Sequence, residues 1–555
     1  GHRFILQEMN QSLSSLVVTP ATKIEEVLHS FVNSKSDLLL VDENSVIAEP
    51  HMELLTDYPR SASAALVAVE KNGDTLVRQN RIASATSASH KVTIGNRKFL
   101  GVIRLSKNQS AEIVSALENA VQHNAKGNAV DLTLVALTRA MIKVDAAEAW
   151  TAPFARTSDA AVRAETSTAI SQLNMGRVRL RMANRANDGF FSVFFLRKFS
   201  KLLTWLAVRV NATPNQVTLI SFAIGLYSAY SFAQGSFWWI FLGAVLLQLS
   251  IIVDCVDGEL ARYTRKFSQL GAWLDAVTDR VKEYMVFLGM AIGADKSGRD
   301  LWIPAIIMML IQTFRHLSDY NYARVVRVRA EDKFLVPVDY MAEFDGIVPS
   351  EREPKGRLRY WLGKIIQFPI GERWLAISAS AVIGGVAFTF TIMPILAFIS
   401  AVVVYRGRVI RTLTNIPKEA ISSSFITDQS DLFGVKRSIF KRFDWIEPSI
   451  LRAIEGGFLL WIFASVDEIN AASFMIIFAI VFNHYDNLYR ALQGEKKPNW
   501  LSAAGLFVGG RILLLGVAAL QGWALHYLAW YFCGLFLVVS SAQWVLSHRA
   551  NKIEK

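Results

Sequence analysis

The stretch Asp254–Asp279, DCVDGELARYTRKFSQLGAWLDAVTD, sets four carboxylates, Asp254, Asp257, Asp275 and Asp279, inside or beside segments apolar enough to lie in a membrane. On helices, Asp254 and Asp257 stand at i, i+3 and Asp275 and Asp279 at i, i+4, so each pair projects from one helix face. An ionised carboxylate at bilayer depth costs several kcal/mol. Four together need compensating positive charge, and one or two divalent cations on oxygen ligands would supply it. The stretch reads as a metal-dependent active site.

Working outward, the chain of 555 residues is too long for one ordinary domain, and its 52% hydrophobic content points to a polytopic membrane protein. The net charge of +12, from 59 basic and 47 acidic residues, fits cytoplasmic loops and anionic headgroups. No basic run interleaved with aromatics suggests nucleic acid as a partner. Cys255 and Cys533 lie far apart in apolar segments and imply neither a disulfide framework nor a zinc site. The start, GHRFILQEMNQ, has no apolar signal-peptide core, and without an initiating Met an upstream segment is expected to be missing.

Residues 1–165 are more polar. LSSLVVT, IEEVLHSF, DLLLVD, a helix near His51–Leu55 and SAALVAV read as β-α-β-α-β, with KFLGVIRLS and AMIKVDA as further strands around a helix at Ala111–His123. The pattern predicts a soluble α/β domain with parallel strands. It contains no GxGxxG and no P-loop, which favours a packed scaffold over a nucleotide site. Residues 166–212 form a linker and an amphipathic stretch. There, Phe190, Phe191, Phe194 and Phe195 interleave with Arg197, Lys198, Lys201 and Arg209, as in a helix lying in the membrane interface.

About ten spans are expected, near 216–234, 236–257, 271–293, 301–323, 373–389, 391–406, 450–466, 471–488, 501–520 and 525–546. Lys and Arg concentrate before the first span and at 262–266, 324–364, 406–442, 490–497 and 548–555. The connections near 235, 390, 468 and 522 carry none. This alternation predicts both termini and the carboxylates on the cytoplasmic side of the plasma membrane.

The string Asp254-x-x-Asp257-Gly258-x-x-Ala261-Arg262, eight residues, then Gly271-x-x-x-Asp275-x-x-x-Asp279 resembles without a departure the signature of the CDP-alcohol phosphotransferases. The resemblance implies a six-helix membrane domain, here 213–415, working as a homodimer. It implies a pair of Mg²⁺ or Mn²⁺ ions on Asp254, Asp257 and Asp275, completed by Asp279, which is also the expected base for the acceptor hydroxyl. The chemistry agrees: attack by an alcohol on a CDP-linked donor needs charge neutralised at the attacking and leaving oxygens. Gly258, Ala261 and Gly271 would let the donor approach the backbone, although close helix packing is the alternative for each glycine alone. Arg262 can fork onto diphosphate oxygens. In Thr213-Pro214-Asn215-Gln216-Val217-Thr218, the resemblance assigns Asn215 and Thr218 to the donor. Arg315 and Arg324, at the end of the fourth span, could bind a phosphate on the acceptor, such as an inositol phosphate. For Arg327 and Arg329, positive-inside anchoring is an equal reading.

The layout also resembles fusions of a nucleotidyltransferase with an inositol-phosphate phosphotransferase, through Asp188-Gly189-x-x-Ser192 and Arg197-Lys198-x-Ser200. Asn44 replaces a second acid in LLLVDENSVI, the Gly-rich loop is absent, and FARTSDAAVRAE lacks paired acids. The 1–165 domain is therefore expected to be catalytically degenerate. Residues 416–555 add four spans with embedded Glu455, His484, Asp486, Arg490 and Arg511. Asp486 and Arg490 read as an ion pair, and the region as structural or partner-binding. The competing class is an ion-coupled transporter using the carboxylates as cation ligands, disfavoured because the second half does not repeat the string.

Overall fold

The structure, a computed structural model, describes residues 14–553 apart from 57–61, 79, 89, 125, 184–188, 334–356, 416–442, 444 and 493–496. Asp188, the side chains of Arg324, Arg327 and Arg329, and the basic stretches within 334–356 and 416–442 lie outside the described residues. The described residues divide into two compact units, one within residues 14–183 and the other within residues 189–553.

The first unit runs β1 (Ser14–Val18), α1 (Ile24–Asn33), β2 (Leu38–Asp42), β3 (Ser45–Ile47), α2 (Glu49–Glu53), β4 (Ser63–Val69), β5 (Thr75–Arg78), β6 (Arg81–Ala85), β7 (Arg97–Leu105), α3 (Ser110–Gln122), α4 (Ala129–Arg139), β8 (Val144–Glu148), β9 (Phe154–Arg156), α5 (Ala160–Ser171) and α6 (Met175–Met182). Its seven-stranded sheet has the order β1-β2-β7-β4-β8-β6-β5. Alternate residues of β2 enter different cores. Leu38 and Leu40 pack with Val27, Phe31, Ile113 and Leu117, while Leu39 and Val41 pack with Ile47, Met52 and Leu55. The sheet is mixed rather than parallel: β1/β2 and β4/β8 are parallel, but β7 runs antiparallel to both β2 and β4. A buried apolar run such as KFLGVIRL looks the same in either direction. The direction is set by the β5–β6 hairpin, turning at Asn80 (φ 60), which has no strong apolar signature.

His51 on α2 is fully buried; its Nε2 meets Thr151 Oγ1 at 3.0 Å and its Nδ1 has no hydrogen bond. Burial pushes its pKa down to about 4 from 6.5. A lowered folded-state value means that the unfolded chain binds the extra proton. Stability is then full above pH 6.5 and falls as the pH drops towards 4, by about 3 kcal/mol at most. Pulse proteolysis of this unit in urea should show that slope, and His51→Gln should flatten it.

The second unit contains a π-helical turn (Ser192–Leu196), α7 (Arg197–Arg209), α8 (Pro214–Phe232), α9 (Phe237–Thr264), α10 (Gln269–Asp295), α11 (Trp302–Lys333), α12 (Arg357–Gln367), α13 (Ile370–Asn415), α14 (Glu447–Ser465), α15 (Ala471–Leu492), α16 (Asn499–Ala504), α17 (Phe507–Leu520), α18 (Leu525–Cys533), a second π-helical stretch (Gly534–Val539) and α19 (Ser540–Ile553). Among the described residues, four helical stretches are long and apolar enough to cross a membrane: Phe237–Thr264, Ile370–Leu413, Asn499–Leu520 and Leu525–Ser547. The expected count of about ten is not supported by that measure, for two reasons. The run Ile370–Asn415 counts there as one stretch, yet its helix is interrupted where Gly385 takes φ 76 and the chain folds back. Ser380 Oγ meets Thr389 Oγ1 at 3.0 Å and Ser400 Oγ donates to the Gln367 carbonyl at 3.1 Å, so two helical segments lie close to the expected spans 373–389 and 391–406. Others, such as α10 and α15, carry charges that are buried inside the unit, among them Lys282, Glu283, Asp486 and Arg490.

α8 begins where its sequence allows. Pro214 occupies the first turn, and Thr213 and Gln216 form a reciprocal capping box. Glycines then bring α10 against α8: a Cβ on Gly289 would lie 2.1 Å from the Ala229 carbonyl oxygen, and one on Gly293 2.2 Å from that of Phe232. The α8 and α10 backbones therefore touch, with α9 packed alongside, and this fixes the geometry of the carboxylates.

Candidate metal and phosphotransfer site

α9 supplies Asp254 and Asp257, and α10 supplies Asp275 and Asp279. The chain reverses between them at Arg265 (φ 57), and Ser268 Oγ caps α10 by accepting from the Gly271 amide at 2.9 Å. Carboxylate oxygens of Asp254, Asp257 and Asp275 all lie within 4.8 Å of one another. Asp257 is buried, and Asp254, Asp275 and Asp279 are half-buried. Three converging carboxylates are a donor set for a hard divalent cation, so the residues present fit a metal.

Lys282, absent from the sequence reading, lies fully buried among these acids. Its Nζ is 2.6 Å from Asp254 Oδ1, 3.0 Å from Asp279 Oδ1 and 2.9 Å from Ser221 Oγ. Part of the positive charge expected from metal is thus built into the fold. The available signal was a Lys at i+3 from Asp279 in an apolar helix, which could have been read as an ion pair. Gly225 leaves room for the Lys282 stem, since a Cβ there would lie 2.6 Å from Lys282 Cγ.

The other expected residues gather round this centre. Thr218 is committed to the carboxylates, its Oγ1 donating to Asp257 Oδ2 at 2.5 Å. Ser221 Oγ donates to Asp254 Oδ1 at 3.0 Å. Asn215 lies over the start of α10, where a Cβ on Gly271 would fall 2.8 Å from its Oδ1. A Cβ on Gly258 would fall 3.2 Å from Arg262 Nη1. Ala261 and Arg262 are half-buried on α9. Arg315 lies apart from this group: it donates to the Gln367 carbonyl and sits 4.0 Å from Asp319.

Two buried networks brace the helices. Glu259, on α9 two residues after Asp257, accepts from Arg197 (2.5 Å), Ser200 (2.8 Å) and Thr204 (2.6 Å) of α7. Arg197, expected among the interfacial cations, is therefore a buried ion-pair partner, while Lys198, Lys201 and Arg209 are exposed beside Phe199, Leu202 and Leu206. On the far face of α10, Tyr284 meets Tyr485 of α15 at 2.9 Å, and Trp273 Nε1 donates to Asp486 at 3.3 Å. Asp486 also accepts from Arg490 at 3.0 Å, in the expected i, i+4 pairing.

In the first unit, the Asp42 carboxylate is occupied by protein donors. Arg156 donates from Nε at 3.0 Å and Nη2 at 2.8 Å, and Asn128 at 3.1 Å. Arg156 also binds Asp131 at 2.8 Å, and burial pushes the Asp131 carboxyl above its usual range.

Two segments of the chain are similar to known families. Residues 211–344 match the CDP-alcohol phosphatidyltransferase family. Residues 372–555 match a family of unknown function.

Among curated relatives, a bifunctional IPC transferase and DIPP synthase of Archaeoglobus fulgidus is 37% identical over 122 residues, 20% of this chain and 24% of that protein. An archaetidylinositol phosphate synthase of Pyrococcus horikoshii is 35% identical over 99 residues, 18% of this chain and 48% of that protein. A phosphatidylinositol phosphate synthase of Streptomyces avermitilis is 34% identical over 132 residues, 24% of this chain and 52% of that protein. The chain spans from about a quarter to about half the length of these relatives. The inositol-1-phosphate CTP transferase structure from T. maritima aligns with 31% of this chain and 82% of its own, at 14% identity and a TM-score of 0.23, too low to carry an inference.

Proposed function

We propose that the chain is an integral membrane enzyme that moves a substituted phosphate group from a CDP-linked donor, CDP-diacylglycerol or another CDP-alcohol, to an alcohol acceptor in phospholipid synthesis. The acceptor oxygen bonds to phosphorus, the bond from that phosphorus to CMP breaks, and the hydroxyl proton passes to Asp279. The observation that carries this reading is the convergence of Asp254, Asp257 and Asp275 within 4.8 Å, in the segment that matches the family.

Asp254, Asp257 and Asp275, completed by Asp279, would hold two Mg²⁺ or Mn²⁺ ions. Bound there, the ions would neutralise the donor's pyrophosphate charge. Lys282 holds Asp254 and Asp279 in place, and Thr218 and Ser221 orient Asp257 and Asp254. Arg262 and Asn215, with the small residues Gly258, Ala261 and Gly271, form the donor cradle. Arg315 and Arg324 are the acceptor contacts. Arg315 suits this because its Nη1 is buried without a hydrogen-bond partner among the described residues. An acceptor phosphate, such as that of an inositol phosphate, could accept from that nitrogen. The relatives named as inositol-phosphate-lipid synthases agree with such an acceptor.

The wider reading is a multi-pass homodimer in the plasma membrane, with about ten spans and with both termini and the site cytoplasmic. It has a degenerate nucleotidyltransferase-like domain at 1–165, an interfacial linker at 166–212, the catalytic domain at 213–415 and an added membrane region at 416–555. The basic residues of the connecting segments support the orientation. Arg156 and Asn128, occupying Asp42, support the loss of nucleotidyl transfer.

The test is CMP release by purified protein with Mn²⁺, a panel of CDP-linked donors and a panel of alcohols, including inositol phosphate and glycerol phosphate. Asp279→Asn should lower turnover by about a hundredfold or more, the scale of a lost general base. Turnover equal to wild type in that variant would remove Asp279 from the role of base.

A further inference from the structure

The added membrane region contains a cleft that the transfer reaction does not use. It is small and partly open, reaching about 300 Å³ only when the solvent space at its mouth is included, and is lined by Arg452 of α14, Asn483, His484 and Asn487 of α15, Ser502 of α16, Val508 and Arg511 of α17, and two phenylalanines, Phe507 and Phe536. Arg452, Asn483, His484 and Arg511 are each at least nine-tenths buried. Among the described residues, the lining has no carboxylate. Glu455 stands behind it, shared by Arg511 (2.7 Å), His484 (2.9 Å) and Arg452 (3.6 Å). One carboxylate thus holds two guanidinium groups and an imidazole at the wall of an open cavity.

An apolar membrane segment needs a reason to keep such a group. The backbone gives a second indication. The helix is broken between α16 and α17, where Leu506 and Phe507 take φ 60 and φ 47. The break turns the first turn of the 14-residue α17, Phe507–Leu520, into the cleft wall beside Arg511. Amides at a helix start lack intrahelical partners, and the helix dipole there favours an anion. Asn487 adds a buried Oδ1 without a hydrogen bond, able to accept from a protonated oxygen.

We propose that this cleft binds a phosphate-bearing anion, the guanidinium groups of Arg452 and Arg511 facing its oxygens while Phe507, Val508 and Phe536 cover its apolar side. The same α15 meets the catalytic helix through Tyr485 and Asp486, on its opposite face. The site therefore lies one helix away from the carboxylate centre and is separate from it. A free phosphate monoester and a lipid headgroup share this chemistry.

The experiment uses the full chain with divalent metal removed by EDTA, so that the carboxylate centre recruits no phosphate. Because no turnover is read, a negative result leaves the transferase reading standing. Thermal unfolding is followed against inorganic phosphate in detergent, and in nanodiscs of phosphatidylcholine with or without phosphatidic acid. Ser502→Asp and Asn487→Asp place a carboxylate on the half-buried cleft wall and should leave the ligand-free melting temperature near that of wild type. Stabilisation by inorganic phosphate, weakened about tenfold in both variants, identifies a soluble phosphate ligand. Stabilisation by phosphatidic acid alone, weakened likewise, identifies a headgroup. No stabilisation by either, or stabilisation that both variants retain in full, overturns the proposal.

Discussion

Asp275→Asn is expected to lower CMP release by about a thousandfold or more while leaving the protein folded, because it removes one of three converging carboxylates. Asn keeps the size of the side chain but loses its charge, and an amide oxygen is a weaker ligand for a hard cation. The remaining acids are partly committed: Asp254 to Lys282 and Ser221, Asp257 to Thr218. They cannot replace the missing ligand without breaking those bonds. The loss should show in CMP release at saturating donor and in weaker Mn²⁺ binding by titration. Wild-type values for both would remove Asp275 from the centre.

The largest effect on stability is expected from Lys282→Met. The ammonium group is fully buried, 2.6 Å from Asp254 and 3.0 Å from Asp279. Removing one partner of a buried ion pair leaves charge uncompensated, at about 3–5 kcal/mol. Unfolding in mixed micelles with EDTA should show that loss. Mn²⁺ should recover part of it, because a cation bound to the folded state alone stabilises by mass action. Unchanged stability in EDTA would mean that Asp254 and Asp279 do not depend on Lys282 for charge balance.

The site was legible in the sequence to the extent that its chemistry is local. The two acid pairs sit at helical spacing, Gly and Ala lie between them, and the carboxylates do converge. What was not legible is contact at long range. Lys282 is near Asp279 in sequence, but its bond to Asp254 joins two helices and leaves no trace in either. The family resemblance assigned Thr218 to the donor, and nothing in the sequence showed its bond to Asp257, which spans 39 residues. Arg156 lies 114 residues from Asp42, so nothing in the sequence pairs them. In the first unit the strands were legible from their apolar runs. Their directions were not, because β7 reverses through a hairpin of weak signature. In the second, hydropathy located the apolar stretches on either side of the break at Gly385, but could not show that Lys282 of α10 pairs with Asp254 of α9 or that Asp486 of α15 accepts from Trp273 of α10.

The most direct test of the central claim, a metal-dependent phosphotransfer centre built on Asp254, Asp257, Asp275 and Asp279, is CMP release from CDP-diacylglycerol as Mn²⁺ is restored to EDTA-treated protein, with and without the alcohol panel. CMP should appear only when both metal and an alcohol are present, one CMP for each molecule of product. CMP formed at the same rate in EDTA, or metal-driven ion flux with no CMP at all, would contradict it.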